Sequence, residues 1–164
     1  MSDTRQPEPT VQSAVGRMMP SLESEREDAQ NGKVRCIVVT PEKAVLDEVT
    51  ELVVLPMIDG ELGVLQGRAP FIGRLGAGEL RLKSGTTVTR YFVEAGFVQV
   101  QANVVTVLTA NAKLASTVTA DLAAAAATEA SGLPFGTAVE RANKTKARDR
   151  AAGMKKVAAK NTTA

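Results

Sequence analysis

The densest cluster of chemistry-bearing side chains lies near the C-terminus. Between residues 140 and 160, Arg141, Lys144, Lys146, Arg148, Arg150, Lys155, Lys156 and Lys160 set eight positive charges against Glu140 and Asp149. Cations at that density do binding chemistry, and they suit an acidic protein surface, a nucleic acid or an anionic membrane. A solvated helix face is the plain alternative. Covalent chemistry finds far less to work with. The chain has no histidine, which removes the usual acid and base near neutral pH and the commonest metal ligand, and its single cysteine, Cys36, is too few for a thiolate zinc site or an internal disulfide. Cys36 sits in the apolar run VRCIVV and reads as a small buried hydrophobe. Glu42, Asp47, Glu48, Glu51, Asp59 and Glu61 are scattered near turns and strand ends, with no sign of the low-dielectric pocket that would tune a catalytic pair. A cupin-like oxygenase would need metal ligands that this chain lacks. Five aromatic residues and no Trp leave little for a base-stacking platform.

One stretch invites a phosphate-loop reading, the glycine-dense DGELGVLQGRAPFIGRLGAGELRLKSG of residues 59–85. It fails on spacing. A phosphate loop needs four residues between its glycines and a Lys-Ser/Thr pair opening a helix, because backbone amides and that lysine cradle the phosphates. Lys83 and Ser84 have no such glycine upstream and fall between strand-like runs, so Lys83-Ser84-Gly85 reads as a hairpin turn.

The elements that must carry these residues follow from composition. In 164 residues, 44% are hydrophobic and 23% charged, the balance of a soluble globular chain. The longest apolar run, LVVLPMI at residues 52–58, is far short of the roughly 18 residues of a spanning helix. Charge divides the chain in three. Residues 1–32 hold three Lys/Arg against six Asp/Glu, residues 33–112 eight of each, and residues 113–164 nine against four. The first segment mixes Pro, Ser, Gln and acids with no sustained apolar period, and we expect a disordered acidic arm. It has neither the apolar core of a secretory signal nor the acid-poor composition of a transit peptide, so the protein is expected to stay in the compartment where it is made.

Residues 33–112 are short β-branched runs separated by turn signals at Asp59-Gly60, Gly67, Gly76 to Gly78, Ser84-Gly85 and Gly96. Val98 and Val100 alternate with Gln99 and Gln101, and Val105 and Val107 flank Thr106, the period of two that gives one packed and one wet face. Nine or ten such strands without intervening helices predict a mainly β fold, an antiparallel β-sandwich or flattened barrel. After it, alanine and charge predict a two-helix hairpin over residues 113–164. The first helix is expected from Ala120 to Ala130 with Thr119 as N-cap, ended by Gly132 and Pro134. The second opens at the capping box formed by Thr137 and Glu140 and runs to about Lys160. Its stripe of Ala147, Ala151, Met154 and Ala158 buries few methylenes at ~0.8 kcal/mol each, and Gly153 in mid-helix costs about 1 kcal/mol more. The hairpin is therefore expected to dock weakly and to detach easily.

Taken together, VVTPEKAVLDEVTELVVLP, DGELGVLQGRAP, LGAGELRLKSG and YFVEAGFVQVQANVVTVLTANA resemble the epsilon subunit of F-type ATP synthases. That family carries a turn of the type GELGVLPGHAP, a glycine-rich strand pair and a final V-T-V-L strand, followed by two C-terminal helices. The resemblance covers residues 34–112 closely and the hairpin in architecture, while the acidic arm has no counterpart in it. It implies a non-catalytic rotor-stalk subunit, peripheral on the cytoplasmic face of the bacterial plasma membrane. The sandwich would grip the gamma subunit and stand on the ring of c subunits, and the hairpin would extend into the catalytic head to restrain ATP hydrolysis.

The same resemblance assigns residues. In the ring-facing turn Glu61 matches the family's glutamate, whereas Arg68 stands where the family has histidine and Gln66 where it has proline. Arg141, Lys144 and Arg148 would face an acidic loop of the beta subunit. Many bacterial members hold ATP in the folded hairpin through an Ile/Leu-Asp-x-x-Arg-Ala pattern. Here Val118 to Ala123 place Thr119 and Leu122 at its Asp and Arg positions, so no cofactor or nucleotide is expected there. No nucleic-acid partner is implied, and membrane contact comes only through the complex. The competing reading is a stand-alone β-sandwich binding module whose basic helical tail takes nucleic acid or an anionic membrane.

Overall fold

The computed structural model describes residues 32–162; the expected acidic arm, Gly32 apart, falls outside them. Ten strands follow in order: β1 (Val34–Val39), β2 (Ala44–Thr50), β3 (Leu52–Met57), β4 (Gly60–Val64), β5 (Phe71–Leu75), β6 (Gly78–Ser84), β7 (Thr87–Val93), β8 (Gly96–Gln101), β9 (Val104–Thr109) and β10 (Ala112–Leu114). Their hydrogen-bonded path is β10-β7-β6-β3-β5-β8-β9-β1-β2, with β4 paired to β3. β1 and β2 fold back over β3 and β6, so the sheet nearly closes on itself. The fold is the mainly β sandwich that the strand pattern requires.

One pairing departs from the antiparallel expectation. β1 runs parallel to β9, with Cys36 opposite Val105 and Val38 opposite Val107. The two strands are joined through all the intervening strands of the sandwich, so no tight turn constrains their sense. Elsewhere the pairs are antiparallel, and the alternation holds: Val98, Val100, Val105 and Val107 point into the core, joined by Val34, Cys36 and Val38 from β1 and Leu80 and Leu82 from β6. Burial pushes the Cys36 thiol up to about 12, the thiol being shielded from water and set near the charges of Glu48 and Asp47.

The turns follow their residues. Gly67 has φ +76 in the turn where the Arg68 amide donates to the Leu65 carbonyl (3.3 Å), a left-handed position that glycine fills without strain. Its amide also donates to the Asn103 side-chain oxygen (2.8 Å), pinning this loop to the β8–β9 turn. Lys83 and Ser84 end β6, and Gly85 and Thr86 form the two-residue turn into β7.

A short 3-10 turn, Ala115–Thr117, leads to two helices, α1 (Ala120–Gly132) and α2 (Ala138–Thr162). The Thr119 hydroxyl accepts from the Leu122 amide (3.3 Å) as the N-cap of α1. At α2 the capping box is complete: the Thr137 hydroxyl accepts from the Glu140 amide (3.2 Å), and the Glu140 carboxylate accepts from the Thr137 amide (2.7 Å). That last contact, first among its causes, holds the Glu140 carboxyl below the usual range.

Candidate functional site

The outer faces of the sandwich meet different fates. On the β6–β7 flank the period of two sends Leu80, Leu82 and Val93 inward and leaves Glu79, Arg81, Arg90 and Phe92 outward. α2 lies across that flank. Phe92, fully buried, packs with Met154, Val157 and Ala158 of α2 and with Ala115 and Val118 of the connecting segment. Burying side chains of the size of Phe92, Met154 and Val157 contributes roughly 1.5–3 kcal/mol each.

Gly153 changes meaning in this setting. A Cβ there would lie 2.5 Å from the Ala77 carbonyl oxygen, so the helix backbone reaches the β5–β6 turn because this residue has no side chain. The sequence marked it only as a weak point of the helix. In the fold it is a point of close approach between α2 and the sandwich.

Glu79 anchors the end of α2. Only 5% exposed, it receives Lys160 Nζ at 2.6 Å across 81 residues of sequence, pairs with Arg90 beside it, and has Arg81 at 3.8 Å. Burial by itself would raise its carboxyl, but the hydrogen bonds from Lys160 and Arg90 outweigh that and hold it below the usual carboxylate range. Nearby, the Asn161 amide donates to the Ala115 (2.6 Å) and Val118 (3.2 Å) carbonyls, and Arg150 pairs with Glu94 (3.2 Å). The hairpin is thus held by polar ties that an alanine stripe does not reveal.

Those ties divide the basic helix. Lys144 Nζ donates to the Ser131 (3.0 Å) and Leu133 (2.8 Å) carbonyls at the end of α1, and Arg141 donates to the Gly136 carbonyl (3.0 Å). Together with Arg150 and Lys160, half of the eight cations serve the fold. Lys146, Arg148, Lys155 and Lys156 face solvent. Among the three residues expected to face a partner, Arg148 is the one with no structural duty of this kind.

The turn residues have partners of their own. Glu61, on β4, makes a two-point pair with Arg81 (2.7 and 3.2 Å), tying the β3–β4 hairpin to β6. Arg68 lies over the Phe71 ring, 5.6 Å from its centre. Both remain on the surface, but the fold does not bring them together: Glu61 lies beside the β3–β4 turn and Arg68 in the turn past the other end of β4.

The opposite flank is open. Two cross-strand rows cover the outer face of β1, β9, β8 and β5: Ile37, Thr106, Gln99 and Ile72 in one, Val39, Leu108, Phe97 and Arg74 in the other. Ile72, Phe97 and Leu108 are 76%, 55% and 52% exposed. Large apolar side chains adjacent on one sheet face mark an interaction surface. The sequence reading missed this face; the signal available was that Phe97 and Leu108 break the polar outer period of β8 and β9. Glu79 gave no such signal, because its strand position reads as solvated until α2 covers it.

Among the described residues no three His, Cys, Asp or Glu side chains gather where they could hold a metal ion, and no helix is long and apolar enough to cross a membrane. The surfaces described are suited to gripping other macromolecules.

Comparisons with known proteins agree with that geometry. Residues 33–115 match the family of the ATP synthase delta/epsilon chain β-sandwich domain. The ATP synthase epsilon chain of Rhodopirellula baltica is 47% identical over 121 residues, covering 74% of this chain and 94% of that protein. The epsilon chain of Alkalihalophilus pseudofirmus is 39% identical over 93 residues, 57% of this chain and 70% of the relative. In fold, the chain is similar to one in the OSCP/F1/c-ring assembly of Euglena gracilis mitochondrial ATP synthase, with a TM-score of 0.66 at 18% identity, covering 94% of this chain and 98% of that one. A chain of the central stalk and c-ring of Tetrahymena thermophila mitochondrial ATP synthase gives a TM-score of 0.61 at 13% identity, covering 77% of this chain and 96% of that one.

Proposed function

Because this chain belongs to the ATP synthase delta/epsilon chain family, we propose that it works as a non-catalytic subunit of the synthase's central stalk, carrying rotation between the membrane ring and the catalytic head. The observation that carries this reading is the division of the sandwich surface. One flank is sealed by the chain's own helix, while the other presents Ile72, Phe97 and Leu108 on a rigid sheet, as a subunit clamped to a shaft requires.

In this reading the open apolar face grips the gamma subunit. The outer side of β4, with Glu61 near one end of the strand and Arg68 in the turn past the other, meets the ring of c subunits. The solvent-facing cations of α2, Arg148 first among them, meet an acidic surface of the beta subunit and restrain ATP hydrolysis in a salt-sensitive way. Catalysis and nucleotide chemistry stay with other subunits. The chain sits on the cytoplasmic face of the plasma membrane by way of the complex. A stand-alone module for nucleic acid or anionic membrane is not favoured, since family membership accounts for the sandwich and half of the basic helix serves the fold.

The test is reconstitution of a stripped synthase with variants of this chain. Phe97→Asp with Leu108→Asp should abolish binding to gamma, and Glu61→Lys with Arg68→Glu should leave that binding intact while weakening attachment to the ring. Arg148→Glu with Lys146→Glu should assemble normally and release hydrolysis. Full assembly by the first variant would overturn the gamma assignment, full assembly by the second the ring assignment, and unchanged hydrolysis in the third the restraint.

A further inference from the structure

The outer face of β1, β9, β8 and β5 carries two guanidinium groups, and the chain answers them differently. Arg35, on β1, is held at two points by Asp47 of the adjoining β2, at 2.8 and 2.7 Å. Arg74, on β5, is exposed, and among the described residues no carboxylate pairs with it. It ends the row of Val39, Leu108, Phe97 and Arg74 that crosses the four strands. Neighbouring strands lie about 4.8 Å apart, so the row runs about 14 Å, apolar at three positions and cationic at the fourth. Past β5 the sheet continues to β3 through a single residue pair, Met57 with Leu75, which puts Arg74 at the margin of the open face. In water a lone guanidinium costs nothing. Under a partner it loses its hydration together with Phe97 and Leu108, and a desolvated cation is tolerated only against a counter-charge. The chain keeps none for it, since Asp47 is already engaged by Arg35.

We propose that the protein surface docking on this face sets a carboxylate opposite Arg74, and that this one ion pair fixes the orientation in which the partner is gripped. The inference rests on the reading that the open face holds the gamma subunit. Apolar contact has no direction, so Ile72, Phe97 and Leu108 supply adhesion without choosing among the ways a partner can slide or turn over the sheet. A charge at one end of the row breaks that equivalence. One orientation brings carboxylate and guanidinium together, and every other buries them apart. Arginine suits the role because its planar fork takes a carboxylate at two points, as Arg35 takes Asp47 on the same side of the sandwich. The occupant is therefore an apolar surface edged by Asp or Glu. A second copy of this chain fits poorly, because its own row holds no acid and its Asp47 is taken.

Titration of the full-length chain into a synthase stripped of it measures the pair. Arg74→Glu should weaken binding about a hundredfold, as expected when a buried ion pair becomes two like charges. Arg74→Lys should fall between that variant and the parent, since lysine keeps the charge and loses the two-point geometry. Position 74 is exposed in the free chain, so thermal unfolding should not shift in either variant. Reversing the acidic residues of gamma to arginine one at a time should then reveal a single position that restores binding of Arg74→Glu and weakens binding of the parent. Parental affinity in Arg74→Glu would overturn the proposal, as would a full set of gamma reversals of which none rescues it. Phe97→Asp with Leu108→Asp tells two failures apart. Loss of binding there with Arg74→Glu unaffected leaves the gamma reading standing and removes the ion pair, whereas full binding by both variants removes the gamma reading itself. Self-association of the parent that Arg74→Glu abolishes would make the occupant a second copy and overturn the proposal as well.

Discussion

Glu79 ties the end of the docked helix to the sandwich through one carboxylate. Three cations converge on it from two strands and a helix, at a depth where solvent screens little. Glu79→Gln leaves Arg90 and Lys160 facing one another without that counter-charge, while Arg81 keeps its pair with Glu61. We expect a loss of about 2 kcal/mol in urea unfolding of the full chain, below the usual cost of breaking a buried pair because Lys160 is half exposed. The pH dependence has a definite sign. A carboxyl held below its ordinary value stabilises the fold above the unfolded pKa, about 4.3, and that contribution is lost as pH falls through the lower folded value. The unfolding curves of the parent and Glu79→Gln should therefore differ at neutral pH and draw together as pH falls from about 4.3 through the lower folded value. A gap that stayed constant down to pH 3 would mean that the variant acts through shape and not through charge.

For the helices, Gly153→Ala separates local preference from docking. Helix propensity favours alanine over glycine by about 1 kcal/mol, so a free α2 would gain from the change. Docked, the new methyl group meets the Ala77 carbonyl, and the helix must lift or the β5–β6 turn must move. The expected outcome is opposite in sign: trypsin should cut the basic helix several-fold faster in the variant while the sandwich core keeps its amide protection. Slower cutting would show that the close approach is dispensable. The two helices also differ in kind. α1 buries Ala123, Ala126 and Ala130 against α2, whereas α2 carries the contacts to the sandwich, so loosening α2 releases both.

Across the whole molecule, the sandwich and the hairpin share one residue that matters to both, Phe92. Its neighbours Tyr91 and Val93 face the sandwich core, and its own ring is the floor on which the helices rest. A chain ending at Leu114 keeps all ten strands and should fold, yet it uncovers the Phe92 flank. We expect that chain to bind a hydrophobic dye and to associate in gel filtration, and Phe92→Thr, a β-branched polar residue suited to an outer strand position, to remove both effects. Association that persisted in the Phe92→Thr form would point instead to the open face of Ile72, Phe97 and Leu108. On this view the molecule has two sticky flanks, one sealed from within and one left for a neighbour.

The strands, the helical hairpin and both helix caps were legible in the sequence because they rest on local rules. Alternation of Val98, Val100, Val105 and Val107, glycine at turns, and the three-residue spacing from Thr137 to Glu140 each involve neighbours along the chain. The family resemblance was legible for the same reason, being carried by contiguous motifs. The parallel β1–β9 pair, the meaning of Gly153 and the burial of Glu79 were not, since each depends on segments far apart in sequence. Lys160 meets Glu79 across 81 residues, and neither residue carries any mark of the other. Which cations serve the fold and which face outward is likewise decided by where α2 comes to rest. Local sequence set the elements and their capping; only the packing of helix on sheet, a matter of shape and burial between distant segments, determined which side chains are anchored and which remain available.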